Sequence, residues 1–168
     1  MYFRLYDERA RGEPIGITLF EERPSLADEV QWFQGHFRRA MEGEEIYLVA
    51  ELDGHVVGSC TIVGAGPGGR SEESHVGDLG ILVEYDHRGK GAGTALLERA
   101  LAEARSKFEV VYLSVFSTNE RAQRLYRRFG FSVCGHLPRL VKRGGQYLDE
   151  ERMVLFLTDS PTGAGANR

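Results

Sequence analysis

The sequence predicts an α/β domain with a mixed, mostly antiparallel sheet of six to seven strands flanked by helices. Three observations carry this reading. Short β-rich runs recur along the chain, two of them joined by Asp53-Gly54. Segments of helical periodicity interrupt them, one ahead of that pair and two after it. The 168 residues suit one core of ordinary size, buried without disulfides or metals. Residues 1–158 read as a single domain. From Asp159 onward (DSPTGAGANR) every large apolar residue is lost, so 159–168 read as a flexible C-terminal tail.

In chain order, the first twenty residues hold two extended-looking stretches, 1–6 and 15–20, around the charged, Gly- and Pro-containing 7–14. Either is a candidate first strand. Pro24-Ser25 opens a helical pattern in which Leu26, Val30, Phe33 and Phe37 recur at spacings of four, three and four, closing near Gly43. Runs 46–51 and 55–63 are β-rich, and Asp53-Gly54 supplies the positive φ of a tight hairpin turn. Segment 64–74 (GAGPGGRSEES) is polar and glycine-rich, a flexible loop between strands. Residues 75–83 form another strand. Periodicity then turns helical over 94–107, with Leu97, Ala100, Leu101 and Ala104 on one face. Residues 110–116 are again a strand. Ala122, Leu125, Tyr126 and Phe129 follow the i, i+3, i+4, i+7 rule of a short helix that Gly130 ends, with Ser117 and Glu120 as its capping box. Runs 131–137 and 152–157 close the sheet across a basic, glycine-bearing connection, 139–145.

Composition excludes several classes. Twenty-one basic against 25 acidic residues leave a net charge of −4, which does not describe a chain that coats nucleic acid or an anionic membrane. With 42% apolar and 27% charged residues the chain falls among globular proteins. No apolar run approaches the roughly 20 residues that span a bilayer. Met1-Tyr2-Phe3-Arg4 lacks the basic-then-apolar order of a secretory signal. A cytoplasmic location is the expectation. Cys60 and Cys134 each stand in an apolar strand-like run, outside metal-ligand spacing, and are expected to be buried free thiols.

Chemistry concentrates between 75 and 135. Arg88-Gly89-Lys90-Gly91-Ala92-Gly93 lies between a strand and an amphipathic helix, so its amides are displayed at a helix N-terminus. Glycines let a phosphate approach the backbone, the first-turn amides lack internal acceptors, and the helix dipole adds partial positive charge. Arg88 and Lys90 would add charge at the rim. Two rival phosphate loops fail on spacing. A Walker loop needs Ser or Thr after Gly-Lys, whereas Gly91 follows Lys90. A dinucleotide fingerprint needs a different final interval and a strand near the start of a βαβ series, whereas four strand-like runs precede this one.

The pattern Arg88-x-x-Gly91-x-Gly93, with strand-terminal Val83 five residues earlier, is followed by Asn119-x-x-Ala122-x-x-Leu125-Tyr126-x-x-Phe129-Gly130-Phe131. Together they resemble the two signature motifs of the GNAT superfamily of acetyl-CoA-dependent N-acetyltransferases, over roughly residues 46–157. The resemblance implies a GNAT-like fold with acetyl-CoA as co-substrate, its pyrophosphate on Arg88, Gly89, Lys90, Gly91, Ala92 and Gly93. It also implies a pantetheine arm hydrogen-bonded to main chain at Ile81 and Val83, where two strands splay and Gly80 suits a bulge. Tyr126 would donate a proton to the leaving thiolate. Asn119 either contacts the cofactor or starts its helix. Arg127 and Arg128 read first as solvated surface charges and second as phosphate contacts. The partners implied are acetyl-CoA and a primary amine, either an amino acid, a peptide or protein N-terminus, or a small amine. The amine attacks directly in a ternary complex. No metal, nucleic acid or membrane is implied, and a homodimer is compatible with the reading.

The proton-accepting base is less defined. In some members of the family a glutamate on the strand before the loop serves; ungapped matching sets Gly77 at that position with Asp78 alongside. Asp78 is the leading candidate, beside His75, Glu84 and Glu51. Segment 142–153 resembles the closing hairpin of members that acetylate α-amino groups, which implies Tyr147 over the acceptor and Asp149 or Glu150 drawing in a protonated amine. A charged hairpin with a packed aromatic is the alternative. The non-enzymatic alternative for the whole chain is an acyl-CoA-binding sensor or interaction module on the same scaffold.

Overall fold

The computed structural model describes residues 2–64 and 71–158, apart from the side chains of Tyr2, Phe3 and Ser71. Most of the glycine-rich segment read as a loop, and the tail 159–168, lie outside the described residues. The elements run α1 (Tyr2–Ala10), α2 (Leu26–Met41), β1 (Glu45–Leu52), β2 (His55–Gly64), β3 (Val76–Val83), α3 (Ala92–Ala104), β4 (Val110–Phe116), α4 (Glu120–Arg128), β5 (Ser132–Arg143) and β6 (Gln146–Phe156). Six strands form one sheet in the order β1-β2-β3-β4-β6-β5. Only the β3–β4 pair is parallel. This is the mixed, mostly antiparallel sheet that the sequence predicts. Among the described residues no helix is long and apolar enough to cross a membrane.

The core lies between the sheet and α3. Leu96, Leu97, Ala100, Leu101 and Ala104 of α3 meet Cys60, Ile62, Leu79, Val111, Leu113 and Met153 from four strands. A fully buried leucine contributes about 2 kcal/mol of transfer free energy, so this interface fixes the strands whose ends carry the site. The β1–β2 turn matches its sequence signal, with Asp53 at φ 51° and Gly54 at φ 77°.

The N-terminal expectation fails. Residues 2–10 are helical, and 15–20 form neither helix nor strand. Leu5 and Glu8, one helical turn apart, are both buried. A short apolar run does not by itself separate strand from helix. In α2 the helical period is right: Ser25 caps it, its hydroxyl accepting from the Asp28 amide while the Asp28 carboxylate accepts from the Ser25 amide. The apolar stripe that betrayed the helix is nevertheless 47–68% exposed at Leu26, Val30, Phe33 and Phe37. What docks α2 is a buried carboxylate and an aromatic contact. His36 and Arg39 both pair with the fully buried carboxylate of Glu45, and Phe33 meets Tyr47 edge-on at 5.8 Å.

Three further expectations are corrected. Asn119, not Ser117, caps α4, its Oδ1 accepting from the Ala122 amide at 3.2 Å. The amide of Asn119 bonds to Phe116 O, an extra turn that leaves Ser117 outside the helix, where its hydroxyl donates to Glu151. The connection 139–145 is mostly strand, because Gly144 and Gly145 turn the chain in two residues at φ 54° and 83°. Both cysteines are free, but only Cys60 is buried, which pushes its thiol up to about 12. Cys134 is exposed on β5, its Sγ donating to Arg152 O.

Candidate active site

Strands β3 and β4 pair for only three residues: Val76 with Val110, Gly77 with Val111, and Asp78 with Tyr112. Beyond Asp78, β3 stays on β2 and β4 stays on β6, so their facing edges part. Main-chain groups that face the gap from 79–82 and from Ser114 and Val115 therefore have no strand partner across it, while Val83 O and Phe116 O are taken by Arg88 and by Asn119 and Gln123. A cleft of about 1050 Å³ fills the gap, lined by Leu79 to Val83 on one side and Ser114 to Phe116 on the other. Segment 14–17 and the loop ahead of α3 also line it. Ile81 and Val83 thus stand where the sequence places them. Gly80 is not at a bulge: the β2–β3 register passes unbroken through its pairing with Thr61. A Cβ there would come within 3.2 Å of Thr61 Oγ1, so the glycine relieves crowding against β2.

At the loop end, Gly89, Gly91 and Gly93 all line the cleft. Gly91 takes φ 97° as the residue before α3, with no side-chain cap on the helix. A Cβ at Gly91 would meet nothing within 4 Å, so the space above it is open. The amides of Ala92, Gly93 and Thr94 have no intrahelical acceptor and sit at the positive end of the dipole. The cradle fits an anionic group held by main chain.

Of the two residues expected to bring charge to this end, Arg88 lines the cleft and Lys90 does not. Arg88 turns inward: Nε donates to Val83 O at 2.9 Å, Nη1 to Pro14 O at 2.8 Å, and Nη2 to Glu8 Oε2 at 2.8 Å. Glu8 is buried, and its other oxygen accepts from the Tyr85 amide at 2.8 Å. Arg88 therefore ties the strand end, the α1–α2 connection and α1 together. Lys90 is exposed and does not line the cleft. Arg121, Arg124 and Arg128 of α4 do. Arg121 lies over Gly89 so closely that a Cβ there would strike its guanidinium. Sequence reasoning missed Arg121 and Arg124, although positions 121, 124 and 128 share one helical face. Arg127 points elsewhere, donating to Gln123 Oε1 at 3.1 Å.

Tyr126 lines the cleft and is 6% exposed, packed edge-on against Phe131 at 6.0 Å. Burial, reinforced by the neighbouring Cys60 thiol, raises its phenol well above the usual range, so it stays protonated near neutrality. It is more buried than Ala122, Leu125 and Phe129, the other members of the same periodic face. Asn119 caps α4 and also lines the cleft, and the two roles are compatible.

Asp78 is the last residue of β3 paired to β4, at the apex of the gap. Its carboxylate is bonded by Arg152 of β6, whose Nη1 donates to Ser114 Oγ at 3.0 Å and whose guanidinium lies 5.3 Å from the Tyr112 ring centre. Sequence reasoning did not find Arg152, because only the sheet order brings β3, β4 and β6 together. Gly77 points into the core, where a Cβ would fall 2.6 Å from Ile62 Cγ2, so a carboxylate at that position would not reach the cleft. Glu84 is buried beyond the far end of β3 with Arg4 at 2.9 Å; His75 and Glu51 are exposed, and none of the three lines the cleft.

Neither Tyr147 nor Asp149 reaches the cleft. Asp149 accepts from the Arg139 amide at 2.7 Å, which steadies Arg139 at φ 57°, and Tyr147 lies exposed beneath the Arg139 guanidinium at 4.0 Å. The closing hairpin touches the site through Arg143 instead. Its guanidinium donates to Ile15 O at 2.9 Å and Ile17 O at 2.7 Å, fastening the segment that walls the cleft.

The family model for acetyltransferases of the GNAT family matches residues 4–131. The chain belongs to this family. Similar proteins fall within the same family. An L-methionine sulfoximine/L-methionine sulfone acetyltransferase of Pseudomonas paraeruginosa is 31% identical over 151 residues, covering 86% of this chain and 84% of that protein. An L-amino acid N-acetyltransferase of Escherichia coli is 34% identical over 109 residues, 64% of this chain and 65% of its own. Among solved structures, a ribosomal-protein-alanine N-acetyltransferase from Brucella melitensis superposes with a TM-score of 0.76 at 27% identity, over 91% of this chain and 90% of that one. A protein of Salmonella typhimurium solved with its cofactor acetyl-CoA gives 0.77 at 25% identity, over 98% and 90%.

Proposed function

We propose that this chain transfers the acetyl group of acetyl-CoA to the primary amine of a small acceptor, by direct attack in a ternary complex. The gap that opens at Asp78 and runs back to the bare amides of residues 92–94 is the observation that carries the reading. The acetylating relatives and the acetyl-CoA-bound structural neighbour support it.

Acetyl-CoA supplies an acetyl group activated as a thioester. The chain's own residues do the rest. The β3 edge at Ile81 and Val83 offers main-chain hydrogen bonds to an extended arm, as an added strand would find. The loop amides and Arg121 hold phosphate. Asp78 accepts a proton from the acceptor's ammonium group, which exposes the nitrogen lone pair. As the C–N bond forms and the C–S bond breaks, Tyr126 Oη gives its proton to the departing sulfur, and the second proton that the nitrogen sheds returns through water to the phenolate, leaving an amide and a free thiol. Free Cys60 and Cys134 support a reducing, cytoplasmic setting.

The test mixes protein and acetyl-CoA with amino acids, polyamines and short peptides, following free thiol and the mass of the acetylated product. At least one acceptor class should accelerate thiol release above background. Tight acetyl-CoA binding with no acceleration by any acceptor would overturn the enzymatic reading in favour of a sensor.

A further inference from the structure

We infer that Arg152 is the specificity-determining residue of the acceptor site: it receives the carboxylate of an α-amino acid acceptor and, by doing so, releases Asp78 to take the amine's proton. The inference rests on the acetyl-transfer reading above and names its acceptor class.

The geometry places a cation where an amine-acetylating site would not otherwise want one. Arg152 reaches across from β6 to bond both Asp78 and Ser114, at the point where β3 and β4 part. Asp78 and Arg152 are not themselves lining residues, but Ser114, which Arg152 bonds, and Leu79 and Gly80, next to Asp78, are, so the pair sits at the margin of the cleft. An ammonium group approaching Asp78 alone meets a carboxylate already neutralised and a neighbouring positive charge. A polyamine brings only more of that charge. An α-amino acid brings its own carboxylate two bonds from the nitrogen, and the planar guanidinium fork is the side chain best matched to that group.

Exchange of partners is feasible because the pair is not sealed. Side-chain exposure is 33% at Arg152 and 56% at Asp78, and an ion pair that open to water contributes little net stability. Ser114 Oγ and the Tyr112 ring keep the guanidinium in place when its second fork changes partner. Asp78, freed, faces the ammonium group of the same substrate. Specificity and activation thus become one event: an acceptor without a carboxylate leaves the base occupied.

The experiment compares L-methionine, L-leucine and L-phenylalanine with the amines that lack only the carboxylate, 3-(methylthio)propylamine, 3-methylbutylamine and 2-phenylethylamine. It uses the full chain and the variants Arg152→Gln, Arg152→Lys and Asp78→Asn, each checked for acetyl-CoA binding by calorimetry. The unmodified chain should prefer each amino acid over its amine by roughly 10- to 100-fold in kcat/KM, the range of a charge-assisted hydrogen bond. Arg152→Gln should collapse that ratio from both sides, raising KM for the amino acid and raising kcat/KM for the amine as Asp78 is freed. Arg152→Lys should retain part of the preference. Asp78→Asn should lower kcat for the amino acid without raising its KM. A parallel loss for amino acid and amine in Arg152→Gln, or an unchanged ratio, would overturn the assignment and leave Arg152 a structural residue. Equal use of alaninamide and alanine would overturn it as well. A chain that acetylates neither set overturns the underlying acetyl-transfer reading, a result distinct from both.

Discussion

The two ends of the cleft are made of different material. The loop end offers main chain: glycines at 89, 91 and 93, bare amides at the start of α3, and the edge of β3 that β4 leaves. The apex is bordered by side chains from three strands, Asp78 of β3, Ser114 of β4 and Arg152 of β6, with 74 residues separating the first and last. A main-chain site tolerates most substitutions except those that alter φ or fill space. A side-chain site fails when a single group is changed. In the proposed reaction the first end binds the constant ligand, acetyl-CoA, and the second selects among acceptors.

The largest expected effects lie at the apex and on the cleft floor. Asp78→Asn should lower kcat on the order of 10²–10³-fold and Tyr126→Phe about 100-fold, the range of a positioned acid or base. Both should leave acetyl-CoA affinity unchanged by calorimetry. Unchanged turnover in either variant removes that residue from the chemistry. Weakened acetyl-CoA binding in both would erase the distinction between the two ends.

Next comes the support beneath the loop. Glu8→Ala strips the buried partner from Arg88 and leaves the Tyr85 amide without its acceptor. Breaking such a pair costs about 3 kcal/mol, read as a fall in urea midpoint at constant m. Glu8→Gln, which keeps an acceptor for the amide, should lose less. If Glu8→Ala behaves like a surface substitution, Arg88 is not the structural tie that the hydrogen bonds describe.

This division also explains what was legible in the sequence. The loop, its flanking strand and the tyrosine helix could be read because a glycine or a helical period reports local backbone, and local backbone is what that end uses. The three-residue pairing of β3 with β4, and hence the apex, could not, since it depends on which strands become neighbours. Asp78 was visible as a carboxylate on the strand before the loop, but its partner Arg152 was not. Tyr147 and Asp149 misled for the related reason that a hairpin's sequence does not say which of its side chains turns toward the site; Arg143 does. Residues 1–6 misled because so short an apolar run fits either period.

Gly91→Ala probes the loop end directly. The left-handed φ of 97° costs a non-glycine residue about 1–2 kcal/mol. With open space around Gly91, that strain is the whole steric effect. Stability should fall by about that amount and acetyl-CoA affinity by roughly tenfold, if the strained loop relaxes away from its cradle. The kcat at saturating acetyl-CoA should hold. A fall in kcat with affinity intact would mean that the loop governs chemistry as well as binding.

The smallest effect separates the cleft's cations. Arg121 overlies Gly89, whereas Lys90 stands exposed outside the cleft. Arg121→Gln should weaken acetyl-CoA binding by about three- to fivefold, as loss of one partly exposed charge contact would. It should also flatten the dependence of that affinity on salt between 50 mM and 500 mM, because exposed charges are screened over roughly 10 Å at 0.1 M. Lys90→Gln should shift neither by more than about half as much. Equal effects would mean that the phosphates respond to summed charge rather than to position. In that case the glycine opposite Arg121 is required for its backbone alone, and the room it leaves for the guanidinium is incidental.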